Sequence, residues 1–163
     1  MREKSLWIVT GGQTGVDRAA MDVALKFALP LRGWCPKGRL AEDGAIDIKY
    51  PLQETPSEKV EQRTEWNARD SDGTLLLSIG VPKDGTSLTA ECAKKYSKPL
   101  LELSLDAEID RETFLSWLER ERITILNIAG PRESHQPGFI YSSSVSLLEQ
   151  LLAPFSREQL LRL

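Results

Sequence analysis

The segment Gly11-Gly12-Gln13-Thr14-Gly15 has the residue types and spacing to hold an anion. It follows a short apolar run, Leu6-Trp7-Ile8-Val9, and precedes a stretch with helical periodicity over residues 16–29. A strand, a loop poor in side chains and a helix N-terminus bring unpaired backbone N–H groups and a helix dipole to one point. The side chains of Gln13 and Thr14 add donors, and the N–H groups of residues 12–16 complete a cradle. The bland alternative is a tight turn without a ligand. Binding is favoured over it, because crevices in open α/β sheets form at such turns. The spacing is neither the G-x-G-x-x-G dinucleotide pattern nor the ATPase loop, which ends in Gly-Lys-Ser/Thr. A phosphorylated small molecule is the ligand class it suggests. Asp17 and Arg18, in the first helical turn, either orient the loop or touch the ligand, and Asp17 alone could simply suit the helix N-terminus.

Four further groups carry candidate chemistry. In Trp34-Cys35-Pro36-Lys37-Gly38-Arg39, Lys37 and Arg39 are flexible cations beside Gly38 and suit a phosphate. Trp34 either stacks on a flat heterocycle or packs at a strand end. Cys35 could ligate a soft metal, but a lone cysteine is more often inert and buried, so no metal ligand is assigned. Arg63, Asn67 and Asp70 share one helical face, with Trp66 beside Asn67, which marks a ligand or subunit contact or a solvated face. Gly85, Thr86 and Ser87 form a second loop-to-helix junction with Thr86 as N-cap. Arg132, leaving a strand end, either clamps an anion or lies on the surface. His135, the single histidine, lacks partners for a triad or zinc site, so no catalytic residue is assigned.

The elements that must position these residues are legible as alternating apolar runs and helical patterns. Strands are expected at residues 6–10, 31–34, 74–79, 99–103 and 123–129, the third buried on both faces. Helices are expected at 16–29, 57–70 with Ser57 as N-cap, 86–96, 110–121 with Asp110 as N-cap, 138–152 and 156–163. Residues 39–56 read as a long loop. The alternation predicts a single Rossmann-like α/β domain over 1–163, a doubly wound, mostly parallel sheet with helices on both faces. Right-handed crossovers then collect residues 11–15, 35–44, 80–87 and 130–138 on the carboxyl rim.

Composition excludes several classes. With 163 residues the chain suits one domain, and 40% apolar and 28% charged residues are ordinary for a globular protein. A net charge of −3 gives no basic field for nucleic acid. No apolar run approaches the roughly 20 residues that span a bilayer, and no signal peptide is evident. Two distant cysteines, Cys35 and Cys92, fit a reduced cytoplasm.

Together, several blocks resemble the molybdenum-cofactor carrier-like proteins, within the Rossmann-like superfamily that includes the lysine-decarboxylase-like cytokinin-activating enzymes. The blocks are Gly11 to Ala19, Gly33 to Arg39, Ala41-Glu42-Asp43-Gly44, Tyr50-Pro51-Leu52, Glu54-Thr55, Arg63-Thr64-Glu65-Trp66-Asn67, Arg69-Asp70-Ser71-Asp72 and Gly85-Thr86. They cover most of residues 8–90 and extend more weakly to Gly130-Pro131. The resemblance implies a homo-oligomer that binds the molybdenum cofactor, a phosphorylated pterin (molybdopterin) whose dithiolene holds molybdenum. It implies storage or delivery of that cargo, with molybdoenzymes or cofactor-biosynthesis proteins as partners. The alternatives are a nucleotide sensor for a nucleotide-like ligand, or a hydrolase of nucleoside 5′-monophosphates. The hydrolase relatives carry P-G-G-x-G-T-x-x-E. Here Thr89 stands at the glutamate position and Glu91 falls two residues late, which counts against hydrolysis.

Overall fold

The computed structural model describes residues 5–80 and 84–157, with the side chains of residues 84–87 outside that description. Five strands, β1 (Trp7–Val9), β2 (Leu31–Arg32), β7 (Gly73–Ser78), β8 (Leu100–Ser104) and β9 (Ile125–Ala129), form one parallel sheet. Its order is β2-β1-β9-β7-β8. The helices are α1 (Val16–Lys26), α2 (Val60–Arg69), α3 (Asp84–Lys95), α4 (Arg111–Arg120) and α5 (Ile140–Leu152). All six residues of β7 are buried, as expected of an apolar run sandwiched between helices.

The order explains the layers. From β1 the chain crosses outward to β2, and from β7 it crosses outward in the opposite direction to β8. Right-handed crossovers therefore place α1 and α3 on opposite faces. The packing agrees: α1 and α4 lie against α5, and α2 lies against α3. The α1 seam is built from small residues, Ala19, Ala20 and Ala24, with Met21 and Val23, all buried. It meets Leu147, Leu148, Leu151 and Leu152 in the core cluster. Burying each such leucine contributes about 2 kcal/mol.

Element ends differ from the sequence expectation for local reasons. Asp110 caps α4 as expected, accepting the Thr113 amide at 2.9 Å. Ser57 does not cap α2, which starts at Val60. Its hydroxyl accepts the Lys59 amide instead, in a turn ahead of the helix. The last strand opens at Ile125 and the last long helix at Ile140, after a short 3-10 turn over Glu133–His135. The terminal helix expected at residues 156–163 falls mostly outside the described residues.

Residues 39–56, read as a long loop, form an ordered arm together with residues 34–38. It holds β3 (Trp34–Cys35) paired with β6 (Gln53–Glu54), and a hairpin of β4 (Leu40–Ala41) with β5 (Gly44–Ala45). Two-residue strands leave no periodicity to read. Arg39 organises the arm. Its guanidinium donates to the carbonyls of Leu52 at 3.0 Å, Asp47 at 2.9 Å, Tyr50 at 2.9 Å and Ile46 at 3.3 Å. Its reading as a phosphate contact must be set against this: four of its five N–H groups are taken up by the chain.

Replacing Arg39 with alanine strands those carbonyls, several of them away from water. Urea denaturation is expected to show a loss of about 2 kcal/mol. Amide exchange is expected to accelerate within residues 39–52 more than in β1, β7 and β9.

Candidate functional site

The carboxyl ends of β1, β7 and β9 open onto a cleft of about 510 Å³. It lies where the sheet changes winding direction, with β9 and β1 feeding helices on one face and β7 on the other. Crevices for ligands form at such switch points. Gly11 and Gln13 come from the first loop, Asp17 from the first turn of α1, Asn127 to Arg132 from the end of β9, and Arg63, Thr64 and Asn67 from α2. Ser78 from β7, Thr89 from α3, Glu61 from α2 and His135 from the loop after β9 add to the polar lining.

Arg63 forms the charged wall. Only 9% exposed, it lays Nη1 on the Gly11 carbonyl at 2.6 Å and at 3.5 Å from Asp17 Oδ2. A β-carbon on Gly11 would stand 2.3 Å from that nitrogen, so the approach requires glycine. Burial pushes the Asp17 carboxyl above its usual range, against the opposing pull of Arg63 and the Gln13 amide. The sequence showed Arg63 on a shared helical face with Asn67, but not that it would reach across to the glycine loop.

The glycine loop differs from the open cradle expected. The Gln13 amide donates to Asp17 Oδ2 at 3.1 Å, the Thr14 amide to Gln13 Oε1 at 3.0 Å, and the Val16 amide to the Pro131 carbonyl at 3.2 Å. The first two are satisfied because an acidic residue in the first turn and a long amide side chain fold back on them, the third because the loop after β9 lies against it. Gly12 lies against Ile46 and Leu52, where an added β-carbon would approach both to 2.7 Å. Gly15, at φ +74, abuts the Pro131 carbonyl. Thr14 donates to Glu42 and accepts the Glu133 amide at 3.1 Å.

The remaining candidates divide. Gly11, Gln13, Asp17, Asn67 and Arg132 meet in the cleft. Arg18 does not line it, and pairs with Asp43 at 2.9 and 3.1 Å. Trp34 lies outside it too, its indole donating to Asp70 at 2.8 Å and its ring edge-on to Trp66. Asn67 also clamps the Trp34 backbone, accepting its amide at 2.8 Å and donating to its carbonyl at 2.9 Å. Lys37 is exposed on the arm, and the Gly38 amide donates to Glu54. Helix α3 begins at Asp84, ahead of the expected cap at Thr86, and the side chains of Gly85, Thr86 and Ser87 lie outside the described residues. Cys35 is fully buried, and burial raises its thiol. Among the described residues no cluster of three or more His, Cys, Asp or Glu could hold a metal ion. No helix there is long and apolar enough to cross a membrane.

Glu42 is the residue whose role the sequence hid. Ser134 donates to it from its amide at 3.0 Å and its hydroxyl at 2.6 Å, while Thr14 donates to the same carboxylate. The Glu42 amide donates to Gln13 at 2.8 Å. One side chain thus joins the arm, the glycine loop and the loop after β9. Burial works to raise this carboxyl, but the hydrogen bonds from Ser134 and Thr14, with Arg132 nearby, hold it below its ordinary 4.5.

A parallel sheet wound both ways, with a polar cleft at its switch point, defines a Rossmann-like α/β protein. The chain belongs to the circularly permutated YpsA SLOG family, which matches residues 8–152. A crystal structure at 1.45 Å of the protein named Putative molybdenum carrier protein, from Syntrophus aciditrophicus SB, is 44% identical to it. That match covers 93% of this chain and 98% of the other, with a TM-score of 0.86. No curated protein matches the chain.

Because Glu42 is held below its unfolded pKa, its stabilisation is complete above about pH 4.5 and lost as the pH falls through the folded value. Glu42 is exposed, so solvent screens much of this, and Glu42→Gln is expected to cost less than about 1 kcal/mol near neutral pH. The gap from wild type should shrink in urea titrations at about pH 3.

Proposed function

We propose that this protein is a non-catalytic carrier that binds a phosphorylated pterin, the molybdenum cofactor, in the switch-point cleft. The observation that carries the reading is Arg63: a nearly buried guanidinium in the cleft wall, with Nη1 engaged by Gly11 and Asp17. A guanidinium binds phosphate oxygens through paired N–H groups. Arg132 adds a second cation, and Gln13, Asn127, Ser78 and Thr89 present amides and hydroxyls suited to the edge of a flat heterocycle. A volume near 510 Å³ falls in the range of small-molecule sites. Molybdenum, as cargo, is held by the dithiolene of the cofactor itself. The name of the Syntrophus aciditrophicus protein supports the same assignment.

Hydrolysis of nucleoside monophosphates is less well supported. Thr89, at the position of the glutamate in the hydrolase signature, lines the cleft and is buried. Glu91 is exposed and does not line it. The carrier reading extends to delivery to molybdoenzymes, a cytoplasmic setting and a homo-oligomer. Leu40 and Ile48 of the arm, 52% and 91% exposed, are apolar surface that assembly would cover.

The test is to mix the chain, anaerobically, with molybdenum cofactor released from a molybdoenzyme, then separate bound from free. Bound pterin is read by fluorescence after oxidation, and molybdenum by mass spectrometry. Arg63→Gln is expected to weaken binding at least about tenfold, the equivalent of 1.4 kcal/mol. Unchanged affinity in Arg63→Gln and Arg132→Ala alike defeats the assignment of the cleft. Release of free base from a nucleoside monophosphate defeats the carrier.

A further inference from the structure

Asp17 and Arg63 form an ion pair in the cleft wall, with side chains only 9% and 11% exposed. The pair is loose. Arg63 Nη1 lies 3.5 Å from Asp17 Oδ2 but 2.6 Å from the Gly11 carbonyl, so its shorter bond is to a neutral acceptor. Asp17 Oδ2 is otherwise held by the Gln13 amide at 3.1 Å. A carboxylate taken almost wholly out of water, its charge also favoured by the Gln13 amide and, more weakly, by Arg18, thus depends chiefly on one distant cation, Arg63. An anion arriving on that cation offsets the charge that keeps Asp17 ionised and adds a like charge close by.

We propose that an anion binding to Arg63 in this cleft brings a proton with it, which comes to rest on Asp17. This rests on the reading of the cleft as an anion site. The step is a plain protonation: a carboxyl O–H forms on Asp17, a buffer acid gives up the proton, and no bond in the ligand changes. Burial already biases Asp17 toward the protonated form. Among the described residues, the other charged or titratable groups lining the cleft are Glu61 of α2 and Arg132 and His135 of the loop after β9. Arg18, next along α1, is engaged by Asp43. Leu88 and Thr89, which α3 contributes to the lining, do not titrate. Glu61 and His135 are therefore the competing proton acceptors, and the experiment separates them from Asp17.

The probe is sulfate, a dianion that does not itself titrate near neutral pH. Calorimetry of the full chain with sodium sulfate, in buffers of different ionisation heat between about pH 5 and pH 8, counts the protons taken up. The expected result is uptake approaching one proton per sulfate, with affinity falling up to about tenfold per pH unit. In Asp17→Asn the uptake is lost, the affinity hardly varies with pH, and binding at the alkaline end is severalfold tighter than in wild type. In His135→Gln and in Glu61→Gln the uptake persists. Sulfate bound without proton uptake overturns the inference, as does uptake that survives Asp17→Asn. If Asp17→Asn does not fold, the other chains decide it: uptake retained in both His135→Gln and Glu61→Gln supports Asp17, and uptake lost in either overturns it. Sulfate that fails to bind wild type at any pH defeats the anion reading of the cleft, and this inference with it.

Discussion

The placement of one guanidinium governs the functional end of this molecule. Arg63 leaves α2 on one face of the sheet and rests on the carbonyl of Gly11, in the loop that leads to α1 on the other. An unpaired charge in that position would be strongly unfavourable, so its partners must be in place when the loop folds. Gly11 provides a carbonyl with no β-carbon in the way, and Asp17 provides the counter-charge. Lysine could not substitute, because one ammonium cannot meet a carbonyl and a carboxylate and still present a planar edge to the cleft. The contact thus ties the two helical layers together across the switch point.

A second set of ties holds the arm over the first loop. Arg39 gathers four carbonyls within the arm, while Glu42 and Asp43 join it to Thr14, Ser134 and Arg18. Lone surface ion pairs contribute little, but a carboxylate that accepts from three donors on two other segments fixes their relative positions. Several charged residues whose spacing suggests phosphate contacts therefore have structural partners instead.

The sheet was legible in the sequence because its strands are apolar runs bounded by turns, and β7 is buried along its whole length. Helical periodicity located α1, α4 and α5 to within a few residues. Strand order was not legible: inserting β9 between β1 and β7 is a choice among long-range pairings that local pattern does not encode. The arm was missed because its strands are two residues long. At the site, sequence reading identified the loop after β1 and the strand end before Arg132. It did not separate cations with internal partners from those facing the cleft. Arg18, Arg39 and Arg63 look alike as sequence, and they differ only in the carbonyls and carboxylates that three-dimensional packing brings to them.

That distinction changes how an anion would be recognised. In a glycine-loop cradle the ligand takes the amides at a helix N-terminus, and any compact phosphate can satisfy them. Here Asp17 takes the Gln13 amide beside α1, and Glu133 accepts the amides of Gly138 at 2.9 Å and Tyr141 at 2.7 Å at the start of α5. Carboxylates of the chain thus hold several of the amides that a bare phosphate would seek. Recognition then falls to side chains spread along the cleft, from Arg63 and Arg132 to Asn127 and Thr89. Spread donors and acceptors favour a ligand with an anionic end and a hydrogen-bonding ring over inorganic phosphate, because only such a ligand engages both ends at once. On the carrier reading, selectivity for the whole cofactor over its phosphate fragment is a consequence of how the first loop satisfies its own backbone.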